Sequence, residues 1–583
     1  MNKANKLCLG KSGFSTLNIN NMNKLIPAAL FLILCVWSCS VLPKQEIVGN
    51  QKPNIILIMA DDLGFSDLGC YGSEINTPNL DFLAANGIRF SQFYNTSRCC
   101  PTRASLLTGL YNQQAGIGNM TRDQQVPGYR GFLTDNTVTV AEVLKDAGYR
   151  TAMTGKWHVS NTLVQPNEQV QLDWLNHKVE FPAFSPLQQY PVNRGFEKYY
   201  GTIWGVVDFF DPFSLVNGIE PVKSVPDNYY HTDAINDTTA AYIKDFAKDD
   251  KPFFIYVAHN APHWPVQALP GDIQKYSNTY TKGWEQTRIS RYQNLLKTGL
   301  IDSATHKLVI GAMDDNRAWI NNPDKEWDAR AMAVHAAMID RMDQGIGRII
   351  NALKETGELE NTLILFLSDN GASPEICQNF GAGFDRPGET RNGQKIIYPT
   401  KKEVLPGPQT VFAGIGPRWA SVSNTPYRYW KIESYEGGVH TPMIAYWPKG
   451  IKAKPGSVTH QPAHVMDFMA TFIDITGAKY PAEYKGNAIT PMQGLSMFPI
   501  FEGRKRDGHA TLFNAHERGK YARMDNWKIV VSGRDSAWKL YDLKKDACEW
   551  SDLSQQYPGR VRTMDSLWNR WAIENKVFPK PGQ

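Results

Sequence analysis

Three short apolar runs constrain the fold of this chain more than any other feature. Residues 54–59 (NIILIM), 253–258 (FFIYVA) and 363–367 (LILFL) are continuous and rich in branched and aromatic side chains. A strand with one wet face alternates between apolar and polar residues; these runs do not. Each therefore predicts a strand buried on both faces, as in a parallel sheet. Helical periodicity lies between them. Residues 138–148 (VTVAEVLKDAG) are amphipathic and stop at a glycine. Residues 329–355 carry Met338, Met342, Ile346, Ile349 and Leu353 at three- and four-residue spacing. Alternating strands and helices predict an α/β domain, a central mostly parallel sheet flanked by helices. Each apolar run also leads into a polar cluster: Asp61-Asp62, then His259 to His263, then Ser368-Asp369-Asn370-Gly371. Open α/β sheets bind ligands outside the carboxyl ends of their strands. The three clusters are expected to converge on one site; the order of the strands is not readable from the pattern.

The last part of the chain reads differently. Residues 520–531 (KYARMDNWKIVV) and 538–543 (WKLYDL) are short strand patterns punctuated by Asp525-Asn526 and Ser532-Gly533. A helical stretch follows with Val561, Met564, Leu567, Trp568 and Trp571 on one face. A length of 583 residues exceeds one ordinary core. The expectation is a large catalytic domain over 52–500 and a small α+β domain over 505–583, an antiparallel sheet with a terminal helix, divided near the polar stretch 502–508 (EGRKRDG). The net charge of +5 is small for this length. It does not suggest a nucleic-acid binder, which would concentrate Lys and Arg on one element, and no nucleic-acid partner is expected.

Residues 25–37 (LIPAALFLILCVW) form an apolar run behind Lys24, too short for a comfortable membrane span. It reads as a signal peptide. Val36-Trp37-Ser38-Cys39 ends it in the manner of a bacterial lipobox, with Cys39 as the site of a lipid anchor; a plain secretory signal is the alternative. Residues 1–39 are assigned to this segment, with 1–21 an over-long start ahead of Met22. The expected location is outside the cytoplasm, periplasmic or anchored to the outer membrane of a Gram-negative bacterium. After Cys39 the cysteines are Cys70, Cys99, Cys100, Cys377 and Cys548. Sparse and odd in number, they do not make a disulfide framework.

The densest motif is Cys99-Cys100-Pro101-Thr102-Arg103, followed by Thr108-Gly109. It resembles the signature of the type I sulfatases, Cys-x-Pro-x-Arg with a later Thr-Gly. Further pieces match in order: Asp61 and Asp62; Lys156 and His158 in a Gly-Lys-x-His; His263 in Ala-Pro-His; Asp369-Asn370; and Lys431 ahead of Glu436-Gly437-Gly438. The resemblance covers roughly residues 52 to 550 and is closest to the bacterial arylsulfatase branch. It implies the alkaline phosphatase fold, a formylglycine made from Cys99 by a separate maturation enzyme, and one calcium ion. The implied metal ligands are Asp61, Asp62, residue 99, Asp369 and Asn370. The implied catalytic set is Cys99, Arg103, Lys156, His158, His263 and Lys431.

Taken one at a time these residues say little. A lone Lys156 or Lys431 reads as a solvated surface lysine, a lone His158 or His263 as a structural histidine, and an Asp-Asp pair as a turn. Membership in one pattern reverses those readings. Three carboxylates and an amide oxygen are hard donors and suit calcium or magnesium better than zinc. A sulfate ester requires cations around its sulfonyl oxygens and an acid at the leaving oxygen. The resemblance implies a covalent route. A hydroxyl of the hydrated aldehyde at position 99 attacks sulfur with Asp369 as base. His263, with Lys431, protonates the departing alcohol, and His158 then assists expulsion of sulfate. The expected substrates are aryl sulfates and sulfated carbohydrates. His516 and Glu517 are weaker candidates for substrate contact. One rival is a phosphodiesterase or phosphonate hydrolase of the same superfamily; the absence of any Asp-His dipeptide disfavours its two-zinc members. The other is a glycan-binding lipoprotein on an inactive scaffold, which the complete residue set disfavours.

Overall fold

The computed structural model describes residues 52–310, 317–377 and 379–582. Residues 1–39, read above as a signal peptide with a lipobox at Cys39, lie outside the described residues. Four parallel strands form the middle of a ten-stranded sheet, in the order Thr362–Ser368, Asn54–Ala60, Phe253–Ala258 and Arg150–Gly155. Their registers bring the carboxyl ends level. Ala60 lies opposite Ser368, and Ala258 lies opposite both Met59 and Gly155. Four loops therefore leave the same edge side by side. Antiparallel Met443–Tyr446 flanks this block on one side and parallel Lys198–Thr202 on the other.

The layers explain the unbroken apolar runs. Ile56 and Ile58 join one buried cluster, with Val257, Ile364 and Phe366. Ile55, Leu57 and Met59 join a second on the opposite face, with Phe254, Leu363 and Leu365. On the first face the 31-residue helix Lys325–Glu355 packs with His231–Phe246. On the second lie Cys99–Thr108 and Asp467–Thr476. The helix expected over 138–148 is the shorter Val140–Asp146, because Thr139 and Glu142 close a capping box that fixes its start.

The fourth central strand, Arg150–Gly155 (RTAMTG), carries no apolar run. Its threonines are buried as pairs: Thr154 Oγ1 lies 2.7 Å from Thr239 Oγ1, and Thr151 Oγ1 donates to the Gly195 carbonyl. Satisfied hydroxyls let polar residues occupy a strand buried on both sides.

Near the C-terminus, Thr511–His516, Gly519–Met524, Trp527–Val531 and Lys539–Asp542 form an antiparallel meander. Asp525 takes the left-handed conformation (φ 53°) that a two-residue hairpin loop requires. Pro558–Glu574 covers the sheet through Met564, Trp568 and Trp571. This sheet is not walled off: Leu512, Tyr521, Ile529 and Leu540 belong to the buried cluster that contains Ile56 and Ile58. All five cysteines among the described residues are free thiols.

Candidate active site

The backbone past the four strand ends is stitched together. Asp61 N–H donates to the Ala261 carbonyl, His259 to Met59, Asp369 to Ala60 and Lys156 to Ala258. The loops bearing Asp61-Asp62, His263, Asp369-Asn370 and Lys156–His158 thus form one rigid floor. Cys99 opens its helix above it. The turn before that helix is held from across the site, because Ile432 N–H donates 2.8 Å to the Ser97 carbonyl. Ser97 (φ 62°) and Ile432 (φ 78°) are both left-handed. Two such residues beside Cys99 and Lys431 are strained backbone of the kind that marks functional sites.

The structure places Asp61, Asp62, Cys99, Arg103, Lys156, His158, His263, Asp369, Asn370 and Lys431 near one another. Asp61, Arg103, Lys156, Asp369 and Asn370 are wholly buried. Arg103 Nη2 lies 2.9 Å from Asp369 Oδ2 and 3.6 Å from Asp61 Oδ2. Its Nη1 donates to the Lys156 carbonyl. Lys156 Nζ pairs with Asp61, and Lys431 Nζ lies 2.8 Å from Asp62 Oδ2. His263 Nε2 is 3.5 Å from that same oxygen, while its Nδ1 donates to the Trp264 carbonyl. That hydrogen bond places the neutral proton on Nδ1 and leaves Nε2 facing the site. His158, left-handed at φ 54°, lies against Cys99. Gly205 leaves room for its ring, since a Cβ there would lie 2.4 Å from Nε2.

Burial and mutual charge set the proton affinities. Burial and the Asp61 carboxylate push Asp369 well above the usual carboxylate range, against the pull of Arg103. Burial would also raise Asp61, but Lys156, His263 and Arg103 outweigh it and hold it low. The Cys100 thiol, hydrogen-bonded to Cys99, holds the Cys99 thiol well below its ordinary value despite burial; Lys156 and His158 add to this. Burial brings His158 to about 4. Burial and Lys431 lower His263 against Asp62. Lys431 stays charged, with Asp62 outweighing burial.

The cluster fits a hard cation. Ligand atoms of Asp61, Asp62 and His263 lie within 4.8 Å of one another. Asp61 Oδ1 and Asn370 Oδ1 are buried with no hydrogen-bond partner. Buried oxygens are seldom left so, and a divalent ion is the partner they suit.

The sulfatase family model matches residues 53–478, the whole of this sheet and floor. The chain belongs to the sulfatase family. It is an enzyme of the sulfuric ester hydrolase class. A second family, described as N-sulphoglucosamine sulphohydrolase, C-terminal, matches residues 428–571. An arylsulfatase of Klebsiella aerogenes is 33% identical, over 79% of this chain and 95% of its own. An uncharacterized sulfatase of Schizosaccharomyces pombe is 31% identical, over 91% of this chain and 95% of its own. Among solved structures, Ps i-CgsB in complex with k-i-k-neocarrahexaose superposes with a TM-score of 0.61 at 24% identity, covering 91% of this chain and 94% of that one. The putative sulfatase yidJ of Bacteroides fragilis superposes at 0.62 and 20% identity, over 91% and 97%. The fold of this sulfatase is thus the alkaline-phosphatase-like one of its structural neighbours.

The sequence pattern misses three neighbours of the site. Tyr256, inside the Phe253–Ala258 strand, puts its hydroxyl 3.4 Å from Arg103 Nη1. Arg98, next to Cys99 in the chain, approaches Glu375 to 4.0 Å. None of the three sits in a recognisable motif; the only signal for Arg98 is its place next to Cys99.

Proposed function

We propose that this sulfatase hydrolyses sulfate esters of aryl alcohols and, as its natural substrates, of carbohydrates, with formylglycine at position 99 and one calcium ion. The observation that carries the reading is the meeting of Cys99 with three buried cations and three carboxylates at the level ends of four adjacent strands. Asp61, Asp62, Asp369, Asn370 and the converted residue 99 would hold the calcium. Formylglycine would supply, as its hydrate, an oxygen nucleophile, and calcium would supply positive charge for the anionic ester.

The chain's own residues do the rest. Arg103, Lys156 and Lys431 are fixed by carboxylates already buried, so their charge is preorganised for an anionic ester. Asp369, held by Arg103 beside position 99, takes the proton of the nucleophile. His263 is neutral when free and turns Nε2 toward the ester; the arriving anion favours its protonated form, which delivers a proton to the leaving oxygen. His158, against position 99, accepts a proton as sulfate departs. The Klebsiella relative, an arylsulfatase, supports the first substrate type. A structural neighbour solved in complex with its substrate, a disulfated glucosamine, supports the second. Export, with the segment 1–39 removed or lipidated at Cys39, belongs to the same reading, as does a maturation enzyme acting on Cys99.

The test is the peptide mass at Cys99 after co-expression with a maturation enzyme, together with turnover of para-nitrophenyl sulfate against the phosphate. Conversion of the thiol to the aldehyde with preference for sulfate is expected. An unconverted Cys99 would sink the covalent route, and preference for phosphate would move the protein to the phosphodiesterases.

A further inference from the structure

Two groups of metal-ligating atoms gather among the described residues of the active site, and they share no member. One is the hard group already met, Asp61, Asp62 and His263. The other is soft. The sulfurs of Cys99 and Cys100 and a ring nitrogen of His158 lie within 4.8 Å of one another, all three residues buried. A third sulfur stands beside them, with Met120 Sδ 3.5 Å from Cys100 Sγ. The chemistry at the floor uses position 99 only after its sulfur has gone, and it gives Cys100 and Met120 no part.

Three observations point to a cation in the soft group. First, His158 Nδ1 is buried with no hydrogen-bond partner, and buried polar atoms are seldom left so. The residue also holds the left-handed conformation, φ 54°, a sparsely populated state that functional sites retain. Second, the spacing fits. A tetrahedral ion with sulfur at about 2.3 Å and nitrogen at about 2.0 Å sets its ligand atoms roughly 3.7 Å apart. Separations of at most 4.8 Å close to that by small side-chain rotations. Third, the donor set is thiolate, imidazole and thioether. These are ligands for a thiophilic ion, and poor ones for calcium or magnesium. Met120 is only half-buried, which leaves one side of the group within reach of an arriving ion.

We propose that the unconverted chain binds one thiophilic d10 cation, Zn2+ or Cu+, through Cys99, Cys100 and His158, with Met120 as a fourth, weaker ligand. Binding releases the two thiol protons to solvent, and no electron is transferred. Conversion at position 99 removes one of the sulfurs and so dismantles the site. Metal capture and conversion therefore compete for one side chain. A chain that folds around the ion keeps Cys99 as a metal thiolate, shielded from oxidation, where the nucleophile for ester hydrolysis belongs. The site requires only the thiol, so it is tested apart from the sulfatase reading.

The experiment uses the full chain expressed without a maturation enzyme, reduced, with the Cys99 thiol verified by peptide mass. Zn2+ is titrated against a chromophoric chelator and Cu+ against bathocuproine disulfonate. Co2+ replaces Zn2+ for spectroscopy. One equivalent per chain is expected, with a sulfur-to-cobalt charge-transfer band that oxygen ligands do not give, and with slower alkylation of Cys99 when metal is bound. Cys100→Ala should weaken binding by roughly tenfold or more. Met120→Leu should weaken Cu+ more than Zn2+, and at its half-buried position it guards against a cysteine variant that fails to fold. The converted chain should lose the charge-transfer band and keep its circular dichroism. Metal held without that band, or held equally well by Cys99→Ala, would put the ion on other residues and overturn the proposal. So would a folded, reduced chain that binds no stoichiometric metal, or full affinity after conversion.

Discussion

Single residues in this molecule are governed by how little water reaches them. His464 is a clear case away from the active site. It is fully buried; its Nδ1 accepts from Met466 N–H, and Nε2 has no partner. Burial, with His509 and Arg506 nearby, brings it to about 3 against the pull of Asp467. An unfolded histidine titrates near 6.5. Between those values the unfolded chain binds a proton that the folded chain refuses, so stability falls as pH falls through that window. Above 6.5 the residue contributes no pH dependence. At pH 5 the loss is about 2 kcal/mol relative to pH 7. His464→Gln keeps an acceptor and removes the titration. The difference in unfolding free energy between pH 7 and pH 5 should then shrink by about that amount. All other titrations are shared by both proteins and cancel. Identical pH dependence of the two in urea melts would contradict this account.

At the scale of elements, one buried triad joins the C-terminal sheet to the active-site floor. Lys528 Nζ, in the strand Trp527–Val531, lies 2.7 Å from Glu436 Oε1 and 2.9 Å from Glu549 Oε1. Glu436 also accepts from Tyr94 and lies 3.0 Å from His440, and its N–H donates to Glu549. One lysine thus holds two buried carboxylates, the first of them five residues after Lys431. Lys528→Met leaves that pair uncompensated, and a loss of about 3–5 kcal/mol is expected. Lys528→Met with Glu549→Gln should recover part of it, because one of the two charges is then gone. A double variant as unstable as the sum of its parts would show that the residues do not act as a unit.

That triad also marks what is legible in the sequence. Strands buried on both faces announce themselves as apolar runs, and the hairpin at Asp525-Asn526 by its turn residues. The site residues are legible through a dense motif and its ordered companions. Arg150–Gly155 is hidden, because its buried threonines are satisfied by partners far away in sequence. Thr511–His516 is hidden as well: its burial comes from packing on Pro558–Glu574 and the large sheet, which no local pattern encodes.

At the scale of the whole molecule, the question is whether the C-terminal sheet is a separate domain or a wall of the catalytic one. The composition shift near 502–508 suggests a boundary. The packing argues for shared stability. Residues of the small sheet lie in one buried cluster with strands of the large sheet, and Lys528 neutralises carboxylates on both sides of the junction. Gln113 Nε2 reaches the Ala515 carbonyl at 2.6 Å, and Trp568 Nε1 the Asn514 carbonyl, so the strand bearing His516 is held from both sides. A sheet fastened in this way cannot unfold without uncovering the large core and releasing buried charge. Calorimetry of the chain should therefore give a single transition, with calorimetric and van't Hoff enthalpies in agreement. Ending the chain at 504 should abolish folding, not trim it. Two resolved transitions, or a truncated chain with native circular dichroism, would mean that residues 505–583 are an independent domain, and the contacts across the junction would then contribute little to either part.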